Sequence, residues 1–79
     1  MLITSSVIEL KQGEFFRIES LLGEFPEVEV RGFSNDMSRV LLIIETEDSD
    51  TLEKVSEKIK EHSSVLSLLH HSFYFDDGK

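Results

Sequence analysis

The chain has 79 residues, 39% of them hydrophobic and 30% charged, with 16 acidic against 8 basic side chains and a formal net charge of −8. That length holds one small domain, residues 1–79, and the composition excludes disorder. The acidic balance excludes nucleic acid and anionic membrane surfaces as partners, because both need clustered Lys and Arg; it suits a partner that is itself basic.

Cysteine is absent, so disulfide staples, thiolate metal sites and thiol nucleophiles are excluded. A small secreted domain usually relies on such staples, which points to the cytoplasm. Met1–Leu10 has no basic residue and no cleavage pattern, so no signal peptide is expected there. The longest apolar run, Val40–Ile44, is too short to cross a bilayer, and no membrane insertion is expected.

In chain order, Leu2–Leu10 is rich in Ile, Val, Thr and Ser and reads as a first strand, broken by Lys11-Gln12-Gly13. Glu14–Leu22 has helical periodicity: Phe15, Ile18, Leu21, Leu22 and Phe25 share one face, and Phe16 lies off it. Gly23 reads as the residue after the helix and Pro26 forbids continuation. Val28–Arg31 alternates apolar and charged as a half-buried strand, and Gly32–Asp36 reads as turn chemistry. Arg39–Glu45 is a third strand, joined to the second as a hairpin. Glu47–Asp50 opens a second helix, capped by Asp48 or Ser49, with Leu52, Val55 and Ile59 as its apolar stripe. Val65–Tyr74 is the last strand, and residues 76–79 read as a frayed tail.

The order βαββαβ predicts an α+β fold, the ferredoxin-like split βαβ: a four-stranded antiparallel sheet with two helices on one face. The other sheet face is then open. Alternation assigns Val28, Val30, Val40, Leu42 and Ile44 to the helices. It assigns Ile3, Ser5, Val7 and Glu9 of the first strand, Glu29 and Arg31 of the second, and Arg39, Leu41, Ile43 and Glu45 of the third to the open side. The fourth strand contributes either Val65, Ser67, Leu69 and His71 or the opposite set. The open face is therefore an apolar strip rimmed by Glu9, Glu29 and Glu45. Such a patch on a small charged protein marks an interaction site. It suits a segment that is both basic and apolar, the composition of a bacterial export signal. A plain hydrophobic central strand or a homodimer contact accounts for the same pattern.

Ser5-Ser6-Val7-Ile8, Phe25-Pro26-Glu27-Val28-Glu29-Val30, Leu41 to Ser49 (LLIIETEDS) and Val65-Leu66-Ser67-Leu68, in this order and spacing, resemble the NapD family. The resemblance covers nearly the whole chain. It implies a non-enzymatic cytoplasmic chaperone that binds the twin-arginine (Tat) signal peptide of the periplasmic nitrate reductase catalytic subunit. Holding that signal delays export until the molybdenum cofactor is inserted. The resemblance puts no cofactor on this chain. Peptide-binding residues are then expected to be Ile3, Ser5, Val7, Glu9, Glu29, Leu41, Ile43 and Glu45. The chain departs from the family in its last strand, where His70-His71-Ser72-Phe73-Tyr74 replaces a more aliphatic stretch before a Tyr-His pair.

Other chemistry is poorly served. His70 and His71 are adjacent and point to opposite sheet faces, and His62 lies near a helix C-terminus, so no metal site is expected. No Ser-base pairing and no Gly-rich phosphate loop is present, and no enzyme is expected. The alternative function is a ferredoxin-like regulatory module that dimerises, or binds a small ligand, through its open sheet face. The expected state is a monomer or weak dimer.

Overall fold

A computed structural model describes residues 1–75 as β1 (Leu2–Leu10), α1 (Phe15–Gly23), β2 (Val28–Phe33), β3 (Arg39–Thr46), α2 (Ser49–Lys60) and β4 (Val65–Phe75). The strands form one antiparallel sheet in the order β2-β3-β1-β4. This is the expected ferredoxin-like architecture. The tail predicted for residues 76–79 lies outside the described residues.

Strict alternation in β1 builds the core. Leu2, Thr4, Ser6, Ile8 and Leu10 are buried while Ile3, Ser5, Val7 and Glu9 are half-buried. β3 repeats the pattern with Val40, Leu42, Ile44 and Thr46 buried. The helices close this side with Ile18 and Leu22 from α1 and Leu52, Val55 and Ile59 from α2. Phe15, Leu21, Phe25, Val28, Val65 and Leu68 pack around the edge of the cluster. Each fully buried aliphatic side chain contributes about 1.5–3 kcal/mol. Phe16 is 77% exposed, as its place off the α1 stripe predicts.

The helix ends have identifiable causes. The Asp48 carboxylate accepts the Thr51 amide at 2.8 Å, which makes Asp48 the N-cap of α2 and holds its carboxyl below the usual carboxylate range. After α2, His62 Nδ1 accepts the Ser64 amide at 3.1 Å, so this histidine organises the turn into β4. α1 begins without a side-chain cap. Its Glu14 instead accepts a 2.7 Å bond from the buried Ser64 hydroxyl, tying the α1 entrance to the start of β4.

Three local expectations are corrected. Gly23 is the last residue of α1, and the chain leaves through Glu24 in right-handed geometry, with the Glu24 amide donating to the Leu21 carbonyl and the Phe25 amide to that of Leu22. No left-handed residue is needed there, because Pro26 stops the helix anyway. Gly32 and Phe33 belong to β2, since the β2–β3 ladder continues through Gly32↔Leu41 and Phe33↔Val40. Phe33 is held there by the ring of Phe15, 5.8 Å away centre to centre. The reversal itself is confined to residues 34–38, with Met37 at φ 59°. There Asp36 Oδ1 accepts the Ser34 and Ser38 hydroxyls, both at 2.8 Å, and the Ser38 amide at 3.1 Å. Those bonds lower its pKa to about 2.

The third correction concerns β4, where neither parity serves the whole strand. The β1–β4 register slips between Ser5 and Ser6 and again between Glu9 and Leu10. Each slip inserts one unpaired residue into β4, His71 and Leu66 respectively. Side chains before and after a bulge follow opposite parities.

Candidate functional site: the open sheet face

The sheet register places all eight residues expected from the sequence on the face away from the helices. Read across β3, β1 and β4, one row is Glu45–Ile3–Tyr74, the next Ile43–Ser5–Ser72, the next Leu41–Val7–Leu69, and the last Arg39–Glu9–Ser67. From β2, Glu29 stands beside Ile43 and Gly32 beside Leu41. The face is thus continuous over four strands.

Its apolar part is a band of Leu41, Val7 and Leu69 running across three strands, extended by Ile43 and by the Ile3–Tyr74 pair. Leu41 is 38% exposed, Leu69 58% and Tyr74 61%. Val7, Leu69 and His71 line a shallow groove closed at one end by Glu9 and Arg39. Next to Ile43, Ser5 and Ser72 oppose one another, so the β1 and β4 part of that row carries only short side chains.

The acidic rim is partly occupied by the protein's own cations. Glu29 pairs with Arg31, its neighbour two residues on. Glu9 accepts the Ser67 hydroxyl at 2.8 Å and lies 3.7 Å from Arg39 Nε. The Glu45 carboxylate makes no ion pair or side-chain hydrogen bond among the described residues, although its backbone amide donates to the Glu27 carbonyl at 2.8 Å. Beside it, one carboxylate oxygen of Glu27 is buried with no hydrogen-bond partner among the described residues. The three rim acids are therefore inequivalent, a distinction that strand alternation alone does not reveal.

Beside the eight expected binding residues the face holds Arg39 from β3 and, from β4, Leu69 and His71 of one set left open by the sequence with Ser72 and Tyr74 of the other. The β4 residues on either side of His71 follow different parities. No glycine or proline signals that bulge in the sequence, so alternation could not place them all. His70 lies on the helix side, where Nδ1 is 2.6 Å from Ser6 Oγ and Nε2 is 3.3 Å from Ser56 Oγ. His70 and His71 thus occupy opposite faces. Among the described residues no group of three His, Asp or Glu is arranged to hold a metal ion. No helix among them is long and apolar enough to cross a membrane.

No curated protein sequence matches the chain. Among solved structures, the solution structure of the E. coli Tat proofreading chaperone protein NapD superposes with a TM-score of 0.79. The match covers 98% of this chain and 81% of that one at 23% sequence identity, so the fold is shared. The NapD protein family profile matches residues 1–77, and the chain belongs to that family.

Proposed function

We propose that this protein is a cytoplasmic chaperone that binds the twin-arginine signal peptide of a periplasmic nitrate reductase catalytic subunit on its open sheet face. In that role it holds back export until the molybdenum cofactor has been inserted. The observation that carries the reading is the exposed Leu41–Val7–Leu69 band bordered by Glu9, Glu29 and Glu45. A signal peptide has the complementary composition, a basic region followed by an apolar one. Membership of the NapD family and the shared fold with a Tat proofreading chaperone support the same reading.

The chemistry divides between the two kinds of contact. Ile3, Val7, Leu41 and Ile43 pack the apolar stretch, laid on the sheet as a helix, at roughly 25 cal/mol per Å² of apolar surface removed from water. Ser5, short like Ser72 opposite it, lets that helix approach. Glu9, Glu29 and Glu45 attract guanidinium groups, which bind carboxylates in two-point fashion. Exposed ion pairs are worth only about 0–1 kcal/mol. The apolar band therefore supplies most of the affinity, and the charges set association rate and orientation.

Calorimetric titration with a twin-arginine signal peptide of such a subunit, beside a twin-lysine control, tests this. Tight binding that weakens with the control is expected. No binding to either peptide, together with a dimer on gel filtration, would replace this reading with self-association through the open face.

A further inference from the structure

The charges of the open face are segregated along the strands. At the hairpin end stand Arg39, opposite Glu9, and Arg31, bulged out of β2 between Val30 and Gly32. At the other end stands Glu45, one strand from Ile3 and two from Tyr74, with the half-buried Glu27 beside it. Among the described residues, no Lys or Arg side chain belongs to the strand ends that form the Glu45 row. The two hairpin-end cations compensate Glu9 and Glu29, whereas the Glu45 carboxylate has no ion-pair partner among the described residues. A basic segment is therefore attracted more strongly to the Glu45 end than to the hairpin end, whose carboxylates are already paired.

Tyr74 adds a second feature to the acidic end. Its ring is mostly exposed in the same row as Glu45, and an arginine can stack on such a ring. Strands are spaced about 4.8 Å apart, so Glu45 and Tyr74 stand roughly 10 Å apart across the sheet. That separation lets two neighbouring arginines each take one partner. Along the strands, the four-residue step from Glu45 to Leu41 covers roughly 14 Å at about 3.4 Å per residue. A helix spans that distance in about nine residues at 1.5 Å each. This matches the step from a basic region into the middle of an apolar stretch of about 7–15 residues.

We infer that the bound signal peptide has a fixed polarity: its arginine pair lies over Glu45 and Tyr74, and its apolar stretch runs toward the hairpin end over Leu41, Val7 and Leu69. This orientation rests on the signal-peptide reading above and adds to it the direction of the ligand and a role for Tyr74.

The test uses the full chain, isotope-labelled for NMR, and two versions of the twin-arginine signal peptide of a periplasmic nitrate reductase. One carries a nitroxide beside the arginine pair, the other at the far end of the apolar stretch. The first is expected to broaden the amide signals of Ile3, Glu45 and Tyr74, and the second those of Leu41, Leu69 and His71. The reversed pattern overturns the orientation and leaves the chaperone reading standing. Broadening confined to α1 and α2, or no binding at all, overturns both. As a second arm, Glu45→Gln and Tyr74→Leu are each expected to weaken binding of the unlabelled peptide roughly 2–5-fold. Tyr74→Phe, which keeps the ring, is expected to bind normally. Full affinity in both Glu45→Gln and Tyr74→Leu overturns the assignment of the arginine pair to this end.

Discussion

Ser6 Oγ and His70 Nδ1 lie 2.6 Å apart across the β1–β4 ladder, on the side of the sheet that faces the helices. The second ring nitrogen reaches Ser56 of α2 at 3.3 Å, so one imidazole links two strands and a helix. Burial, then the nearby Lys60 ammonium, holds the His70 pKa below the ordinary imidazole value. Glu53 and Glu57 line the same hollow. Because the folded state binds this proton less readily than the unfolded chain, stability rises with pH through the window just below about 6.5. The contribution is fully present above that value and is lost as pH falls through the lowered pKa. Thermal melts at pH 7.5 and 5.5 are expected to show a drop for the wild type and a smaller one for His70→Asn. Equal drops would assign the acid sensitivity to other groups.

The arginines at the rim act against the proposed ligand. Arg31 and Arg39 occupy Glu29 and Glu9, which a basic peptide would otherwise engage. Arg31→Ala and Arg39→Ala are therefore expected to raise affinity for the twin-arginine peptide, each by up to about 5-fold, since exposed pairs are worth about 0–1 kcal/mol. The gain should shrink at high salt. Calorimetry at two ionic strengths measures both effects, and weaker binding by these variants would mean that the arginines contact the ligand themselves.

Leu41 separates binding from folding. It forms the β3 end of the apolar band, between Val7 of β1 and Gly32 of β2, with its side chain on the open face. Leu41→Glu is expected to lower peptide affinity roughly 10–100-fold, the equivalent of losing one buried leucine of about 1.5–3 kcal/mol. Its far-ultraviolet circular dichroism and urea midpoint should stay near those of the wild type. Unchanged affinity would sink the sheet-face site.

The opposite behaviour is expected for two residues on the helices. Ile59 is fully buried on α2, whereas Phe16 is largely exposed on α1. Ile59→Ala leaves a cavity and should cost about 2–5 kcal/mol, much of the total stability available to so small a domain. Phe16→Ala should change the urea midpoint little. A large loss on removing Phe16 would mean that its ring has a partner beyond this chain's core.

What the sequence makes legible follows from where its patterns are unambiguous. In β3 the charged ends Arg39 and Glu45 label one face, so Leu41 and Ile43 are recognisable as apolar residues on the solvent side. In β1 the alternation is uninterrupted over nine residues. Both faces of the two central strands can therefore be read directly, together with seven of the eight expected site residues. The α2 stripe of Leu52, Val55 and Ile59 is equally plain, and the acidic run before it contains its cap. The edge strands are harder. The extent of β2 depends on the tertiary contact of Phe33 with Phe15, which local turn propensity does not encode. Which acids of the rim are already paired depends on side-chain reach, not on strand parity.

The unpaired residue at His71 works as a frameshift within a strand. Upstream of it Ser67 and Leu69 look out from the open face; downstream Ser72 and Tyr74 do. Were His71 paired in regular register instead of bulged, Phe73 and Phe75 would take the open face and Tyr74 would turn inward. The bulge thus decides whether the far end of the face offers one amphipathic ring beside Glu45 or two greasy ones. The chemistry presented at this corner can consequently change without altering any side chain that lines it.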